Sequence, residues 1–163
     1  MKIKEIKNFL EKEDFKILKD TLMSYTFPWY LNKVVDLKDN QNQLTHLFYN
    51  DLNINSNFYN LILPAVNKIK PISIVRIKAN LLFKTNKIIE HGFHTDVKDP
   101  KSFIHTGILY INTNNGYTKF KKNNLKISSE ENKFICFDAN DLHTGSTCTD
   151  EEVRMVINFN FIK

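Results

Sequence analysis

Cysteine is scarce in this chain. There are two, Cys136 and Cys148, which suggest neither a disulfide framework nor a thiolate metal site. Cys136 lies in the apolar run Phe134-Ile135-Cys136-Phe137 and reads as a core residue. Long apolar runs are missing too: none approaches the roughly 18 residues of a membrane span. The opening Met1-Lys2-Ile3-Lys4-Glu5-Ile6-Lys7 alternates charged with apolar residues and lacks the apolar centre of a signal peptide. The expectation is a soluble, cytoplasmic protein with no membrane partner. Arginine is nearly absent, Arg76 and Arg154 being the only two among 23 basic residues, so the net charge of +5 comes almost wholly from lysine. The lysines are scattered among Asp and Glu and read as a solvated surface, which argues against a nucleic-acid interface.

What is present is the material of an ordinary globular domain. At 163 residues, with 13 Phe and no linker or repeat, the chain suits a single domain over 1–163 with a core large enough to need no staple. Residues 1–71 read as a mainly helical support. Ile6, Phe9, Leu10, Phe15, Leu18 and Leu22 recur at three- and four-residue intervals, predicting one or two amphipathic helices. A second helical pattern covers 57–69, with Ser56 as a cap, Pro64 as a kink or first turn and Pro71 as a stop. Between them, 25–36 is aromatic-rich and expected to be extended, and 38–45 reads as an exposed loop. Trp29 and Tyr30 are candidates for a substrate groove, with core packing the commoner fate of such residues.

From Ile72 the period changes to two. Val75, Ile77, Ala79, Leu81 and Phe83 share one face of a strand, and Arg76, Lys78 and Asn80 the other, which looks either into a pocket or into water, with water the default. Further strands are expected at 103–112, 117–120, 125–128, 133–138 and 153–161, with Asn115-Gly116 as a hairpin turn. Many short strands behind a helical front argue for an α+β chain whose 72–163 part is a jelly roll buttressed by helices.

Within this frame one constellation carries chemistry. In His94-Thr95-Asp96 the imidazole and the carboxylate stand two residues apart and project to one side of an extended segment. His143, in Asp141-Leu142-His143-Thr144-Gly145, would add a second imidazole. Two His and one carboxylate on one face of a metal suit non-haem Fe(II) and leave positions open. The alternative for the same residues is a loop cap at His94 and an Asx turn at Asp96. Arg154 lies on the polar face of the last strand with Asn158, where a guanidinium could hold a carboxylate in bidentate fashion; the alternative is a surface pair with Glu151 or Glu152. Tyr110 offers a phenol on the strand after Asp96.

In order, His94-Thr95-Asp96, Tyr110-Ile111-Asn112, Asn115 to Phe120, His143 and Arg154 resemble the Fe(II)- and 2-oxoglutarate-dependent dioxygenases, whose core is a double-stranded β-helix, a cupin-like jelly roll. The prolyl 4-hydroxylase branch, in its small phage and bacterial forms, is the nearest resemblance. It implies His94, Asp96 and His143 as iron ligands and catalytic centre. It also implies Arg154 as partner of the 2-oxoglutarate C5 carboxylate, with Tyr110 and Asn158 beside it. The implied cofactors are Fe(II) and 2-oxoglutarate, with O2 as co-substrate and ascorbate as a further candidate. The implied reaction is hydroxylation of an unactivated C–H in a proline-containing peptide, releasing succinate and CO2. The implied setting is the cytoplasm, including that of a virus-infected bacterium. Where many members carry Tyr-Pro before the HxD, this chain has Leu82-Phe83. A free amino acid or small metabolite is the alternative substrate and would need a lid, for which 38–50 is the candidate. Nucleic-acid repair ranks lower, because position 160, where such enzymes carry a second Arg, is Asn160. A jelly roll that only binds, without catalysis, ranks last.

Overall fold

The computed structural model describes residues 3–32, 42–97 and 103–163. Eleven strands are found among them: β1 (Lys4–Ile6), β2 (Tyr30–Asn32), β3 (Gln43–Asn50), β4 (Asn53–Ile54), β5 (Ser73–Phe83), β6 (Ile104–Tyr110), β7 (Tyr117–Phe120), β8 (Lys126–Ser128), β9 (Phe134–Asp138), β10 (His143–Gly145) and β11 (Val153–Ile162). Two helices, α1 (Lys12–Leu22) and α2 (Leu63–Ile69), accompany them, α2 preceded by a 3-10 turn over Tyr59–Ile62. The strands form a large sheet in the order β1-β9-β6-β11-β5-β3-β2, with β4 on β3, and a small sheet in the order β10-β7-β8. All pairings are antiparallel. Two facing antiparallel sheets whose strands alternate between them make the jelly roll that the strand pattern predicts.

Alternation along β11 decides where everything sits. Met155, Ile157, Phe159 and Phe161 join the larger core with Phe15, Leu18 and Leu22 of α1 and Ala65 and Ile69 of α2. The helices therefore cover the outer face of the large sheet. On its inner face Tyr110, Ile108 and Val156 meet Phe120 and Ile127 of the small sheet in a second cluster. The polar residues of that inner face are left around a cavity between the sheets.

The N-terminal third is less helical than its periodicity predicts. Lys4–Ile6 extends the edge of the large sheet on β9, because short alternation suits an edge strand as well as a first helical turn. The 57–69 helix is broken: Pro64 stands in the first turn of α2, where a missing N–H costs nothing. Ser56 does cap locally, its Oγ accepting from the Phe58 amide at 2.9 Å. Lys70, at φ 53°, ends the helix before Pro71. The predicted 38–45 loop and 38–50 lid are corrected in part: 43–50 is β3, paired along β5, while 38–41 lies outside the described residues.

Asn115-Gly116 does not close a hairpin either. β6 belongs to the large sheet and β7 to the small one, so this turn carries the chain across the jelly roll. The Gly116 amide bonds to Asn114 Oδ1 at 3.0 Å and the Asn115 amide to the Asp150 carboxylate at 3.0 Å. The true hairpin of the small sheet is β7–β8, turned by Asn124 at φ 56°. No helix among the described residues is long and apolar enough to cross a membrane.

Candidate metal centre and anion pocket

His94 and His143 are placed by backbone pairing. The chain before β6 runs beside β10, and the two histidines exchange amide hydrogen bonds, His94 N to His143 O at 2.9 Å and His143 N to His94 O at 3.0 Å. A pair bonded in this way puts both side chains on one face, and the rings lie 4.8 Å apart between centroids. Asp96, two residues on, shares that face. The three ligand atoms lie within 4.8 Å of one another, His143 Nε2 standing 3.8 Å from Asp96 Oδ2.

Each imidazole is oriented from behind. His94 Nδ1 lies 3.1 Å from the Gly92 carbonyl and His143 Nδ1 3.0 Å from the Asp141 carbonyl. A carbonyl only accepts, so the proton is on Nδ1 and the Nε2 lone pair points at the shared space. Burial lowers the His143 pKa, outweighing the Asp96 carboxylate, and favours the neutral, ligating form. Asp96 is fixed through both oxygens. Thr106 Oγ1 and Asn160 Nδ2 donate to Oδ2 at 3.1 and 3.2 Å, and Arg76 Nη2 to Oδ1 at 3.4 Å. Burial would raise its pKa, but His143, Arg76, His94 and the Asn160 amide together hold it below the usual carboxylate value.

These residues open onto a cavity of about 280 Å³ whose lining includes His94, Asp96, His143, Arg154 and Asn158. The polar face of β5 looks into it as well, through Arg76, Lys78 and Asn80; water as its default environment is thereby corrected. The cause is topological, since β5 is an inner strand, flanked by β11 and β3 and facing the small sheet.

Arg154 is 3% exposed. Its Nε donates to Ser129 Oγ at 2.8 Å and its Nη2 to Thr118 Oγ1 at 3.3 Å, while the guanidinium lies 5.8 Å from the Tyr110 ring centroid. The expected alternative, a surface pair with Glu151 or Glu152, does not form, and among the described residues no carboxylate pairs with it. Burial lowers its pKa. A buried guanidinium without an acid is costly, and here it is aimed into a cavity. Glycine makes the room: a Cβ on Gly116 would stand 2.6 Å from Arg154 Cδ and 2.8 Å from the Thr147 carbonyl, and one on Gly145 3.4 Å from Arg154 Nη1.

Tyr110 does not line the cavity. Its hydroxyl donates to Thr118 Oγ1 at 2.8 Å, and burial lifts its pKa to about 12. With Tyr110 and Arg154 both donating to it, Thr118 has its own hydroxyl proton free to give to a ligand. Asn158 does line the cavity, and its Oδ1 is buried with no hydrogen-bond partner among the described residues. Trp29 and Tyr30 are elsewhere. Trp29 packs against the main core with its Nε1 donating to the Leu22 carbonyl at 3.2 Å, and Tyr30 is 62% exposed on the edge strand β2. From that part of the chain Asn32 and Gln43 line the cavity instead. Thr106, Thr118, Ser129, Asn160, Arg76 and Lys78 were not singled out from the sequence. For Asn160 the signal was there, in its two-residue spacing from Asn158.

No family model matches the sequence, and no curated protein matches it. Solved structures do. A viral collagen prolyl hydroxylase from Paramecium bursaria Chlorella virus-1, in complex with 2-oxoglutarate, superposes with a TM-score of 0.62 at 15% identity, covering 99% of this chain and 96% of that one. The fold is that of the 2-oxoglutarate and Fe(II) oxygenases. A Trichoplax adhaerens prolyl hydroxylase, in complex with a peptide fragment of the hypoxia inducible factor oxygen degradation domain, gives 0.70 at 12% identity over 98% and 84% of the two chains. A Streptomyces hygroscopicus protein with nickel, 2-oxoglutarate and hygromycin B bound gives 0.63 at 9% identity over 98% and 82%.

Proposed function

We propose that this chain is an Fe(II)- and 2-oxoglutarate-dependent dioxygenase of prolyl hydroxylase type, acting on a proline-containing peptide. One observation carries the reading: two imidazoles with their Nδ1 atoms tied back and one carboxylate converge in the same cavity that holds a buried arginine without an acidic partner among the described residues. The donor set suits Fe(II), offering nitrogen and oxygen ligands with no thiolate and leaving coordination positions open. The arginine suits the far carboxylate of a dicarboxylic acid.

When bound, iron and 2-oxoglutarate would supply the activation of O2 and the oxidative decarboxylation that turns a C–H into C–OH with release of succinate and CO2. The protein supplies position. His94 and His143 would hold the metal through Nε2, and Asp96 would do so through a carboxylate kept ionised by the Arg76 guanidinium and the Asn160 amide. Arg154 would bind the co-substrate's far carboxylate, assisted by the Thr118 hydroxyl, which Tyr110 orients from behind. Ile108, Val156 and Leu82 form apolar walls that displace water from the reacting centre.

The test is anaerobic titration with Fe(II) and then 2-oxoglutarate, following the weak visible absorption of the chelate, before O2 and proline-rich peptides are admitted and succinate is measured. Absorption together with peptide-stimulated succinate is expected. Chelation with stimulation only by small molecules would move the substrate to a free metabolite, and absence of chelation would remove the enzyme reading.

A further inference from the structure

Arg154 takes up one end of the cavity, and a second cationic group stands at the other. Arg76 and Lys78 both line it from β5, opposite Asn160 and Asn158 of β11, whereas Arg154 is opposite Leu82. Leu82 lies six residues beyond Arg76, a difference in backbone level of about 20 Å along the strand. Arg76 spends Nε on Asn160 Oδ1 at 3.2 Å and Nη2 on Asp96 Oδ1 at 3.4 Å. Its Nη1 has no partner among the described residues. Lys78 Nζ has neither a hydrogen bond nor an ion pair among them.

The charges around the cavity do not balance. Asp96 is the only acidic side chain among the described residues of the lining, against Arg76, Lys78, Arg154 and a divalent metal. The dianionic co-substrate would still leave positive charge uncovered on the side away from Arg154. A cation drawn partly out of water keeps its desolvation cost until an anion arrives.

From this arrangement we infer that Lys78 and Arg76 form a carboxylate subsite for the substrate, on the cavity wall beside the metal ligands. The inference rests on the dioxygenase reading. Two unengaged donors, Lys78 Nζ and Arg76 Nη1, match the two oxygens of one carboxylate. That carboxylate belongs either to the backbone of a free amino acid or to an acidic side chain next to the target residue of a peptide. In both cases the substrate arrives with a negative charge close to the reacting C–H. Lys78 thereby selects the substrate and takes no part in the chemistry.

The experiment uses the full chain loaded with Mn(II) in place of iron and with 2-oxoglutarate, and reads Mn(II)-enhanced proton relaxation of added ligands. The ligands are acetate, L-proline paired with L-prolinamide, and acetylated tetrapeptides carrying Glu or Gln beside proline. We expect enhanced relaxation of acetate, and at least a tenfold preference for the carboxylate member of one pair. Preference within the proline pair identifies a free amino acid, and preference within the tetrapeptide pair an acidic peptide. Lys78→Met is expected to abolish the preference and Lys78→Arg to keep it, with Mn(II) and 2-oxoglutarate affinities within twofold of the parent in both. Equal binding of carboxylate and amide members, or no relaxation effect from any ligand, overturns the subsite. A tenfold loss of 2-oxoglutarate affinity in Lys78→Met also overturns it, by assigning the lysine to the co-substrate. If the parent protein takes up neither Mn(II) nor 2-oxoglutarate, the dioxygenase reading fails first and the subsite falls with it.

Discussion

His94 and His143 are a directly opposed antiparallel pair: each amide bonds to the other's carbonyl, at 2.9 and 3.0 Å, and the two rings turn to the same side. Two candidate metal ligands 49 residues apart in sequence are thereby set by the same geometry that sets a β-ladder. Replacing either with Ala is expected to remove Mn(II) binding from the micromolar range altogether while leaving the ladder amides paired, so the far-ultraviolet dichroism stays unchanged. Calorimetric titration checks the first and dichroism the second.

Asn160 and Thr106 orient the Asp96 carboxylate, the proposed oxygen ligand. Asn160→Ala removes one donor to Asp96 Oδ2 and one to the Thr106 hydroxyl. Substitution of groups that orient a ligand commonly costs 10- to 100-fold in metal affinity. A loss of about that size in Mn(II) titration, without loss of folding, is the expected outcome.

Arg154→Met separates binding from stability. Truncating one partner of a buried charge pair costs roughly 2–5 kcal/mol of binding, so 2-oxoglutarate affinity should fall on the order of 100-fold. In the protein without ligand no carboxylate is stranded, and an apolar side chain of similar volume in place of a buried charge is often neutral or stabilising. Thermal unfolding of the ligand-free variant should therefore match or exceed that of the parent. A structural arginine would give the opposite result.

Gly116 is held by close approach and not by backbone conformation, since its φ is not positive. Gly116→Ala puts a methyl against Arg154 Cδ and the Thr147 carbonyl. Overpacking of this kind costs about 1–3 kcal/mol. Both a lower melting temperature and weaker 2-oxoglutarate binding are expected, the second because Arg154 is displaced.

Glu90 gives the small sheet a pH-dependent tie. Its carboxylate bonds to Lys119 Nζ at 2.7 Å and Tyr117 OH at 2.6 Å, with Lys126 Nζ 3.2 Å away, and Lys119, Tyr117 and Lys126 outweigh the effect of burial to hold its pKa at about 2. The folded value lies below the unfolded one, so the stabilisation is complete above about pH 4.5 and is lost as pH falls towards 2. Melting curves of parent and Glu90→Gln should differ most near neutrality and converge as the pH reaches about 2. The difference will be modest, because the group is partly solvated.

The two-residue periodicity of β5 and β11 was legible because one side of each strand is packed and the other polar. The same pattern could not say what the polar side faced. Arg76 and Lys78 line a cavity only because the small sheet folds over them. Aromatic content signals burial or contact without saying which: Trp29 takes the commoner fate, core packing, while Tyr30 stands exposed on an edge strand. Asn115-Gly116 misled because local turn chemistry is silent about which sheet receives the next strand.

The sequence by itself determined the alternation, the ligand types and their spacing, since side-chain direction in an extended chain follows from residue parity. Only the tertiary structure decided that residues 94, 96, 143 and 154 share one cavity, that Tyr110 bonds to Thr118 instead of lining it, and that a second cationic wall lies beside the candidate metal ligands. Those relationships are made by strands far apart in the chain, and the register of their pairing follows from packing across two sheets, which no local stretch of sequence encodes.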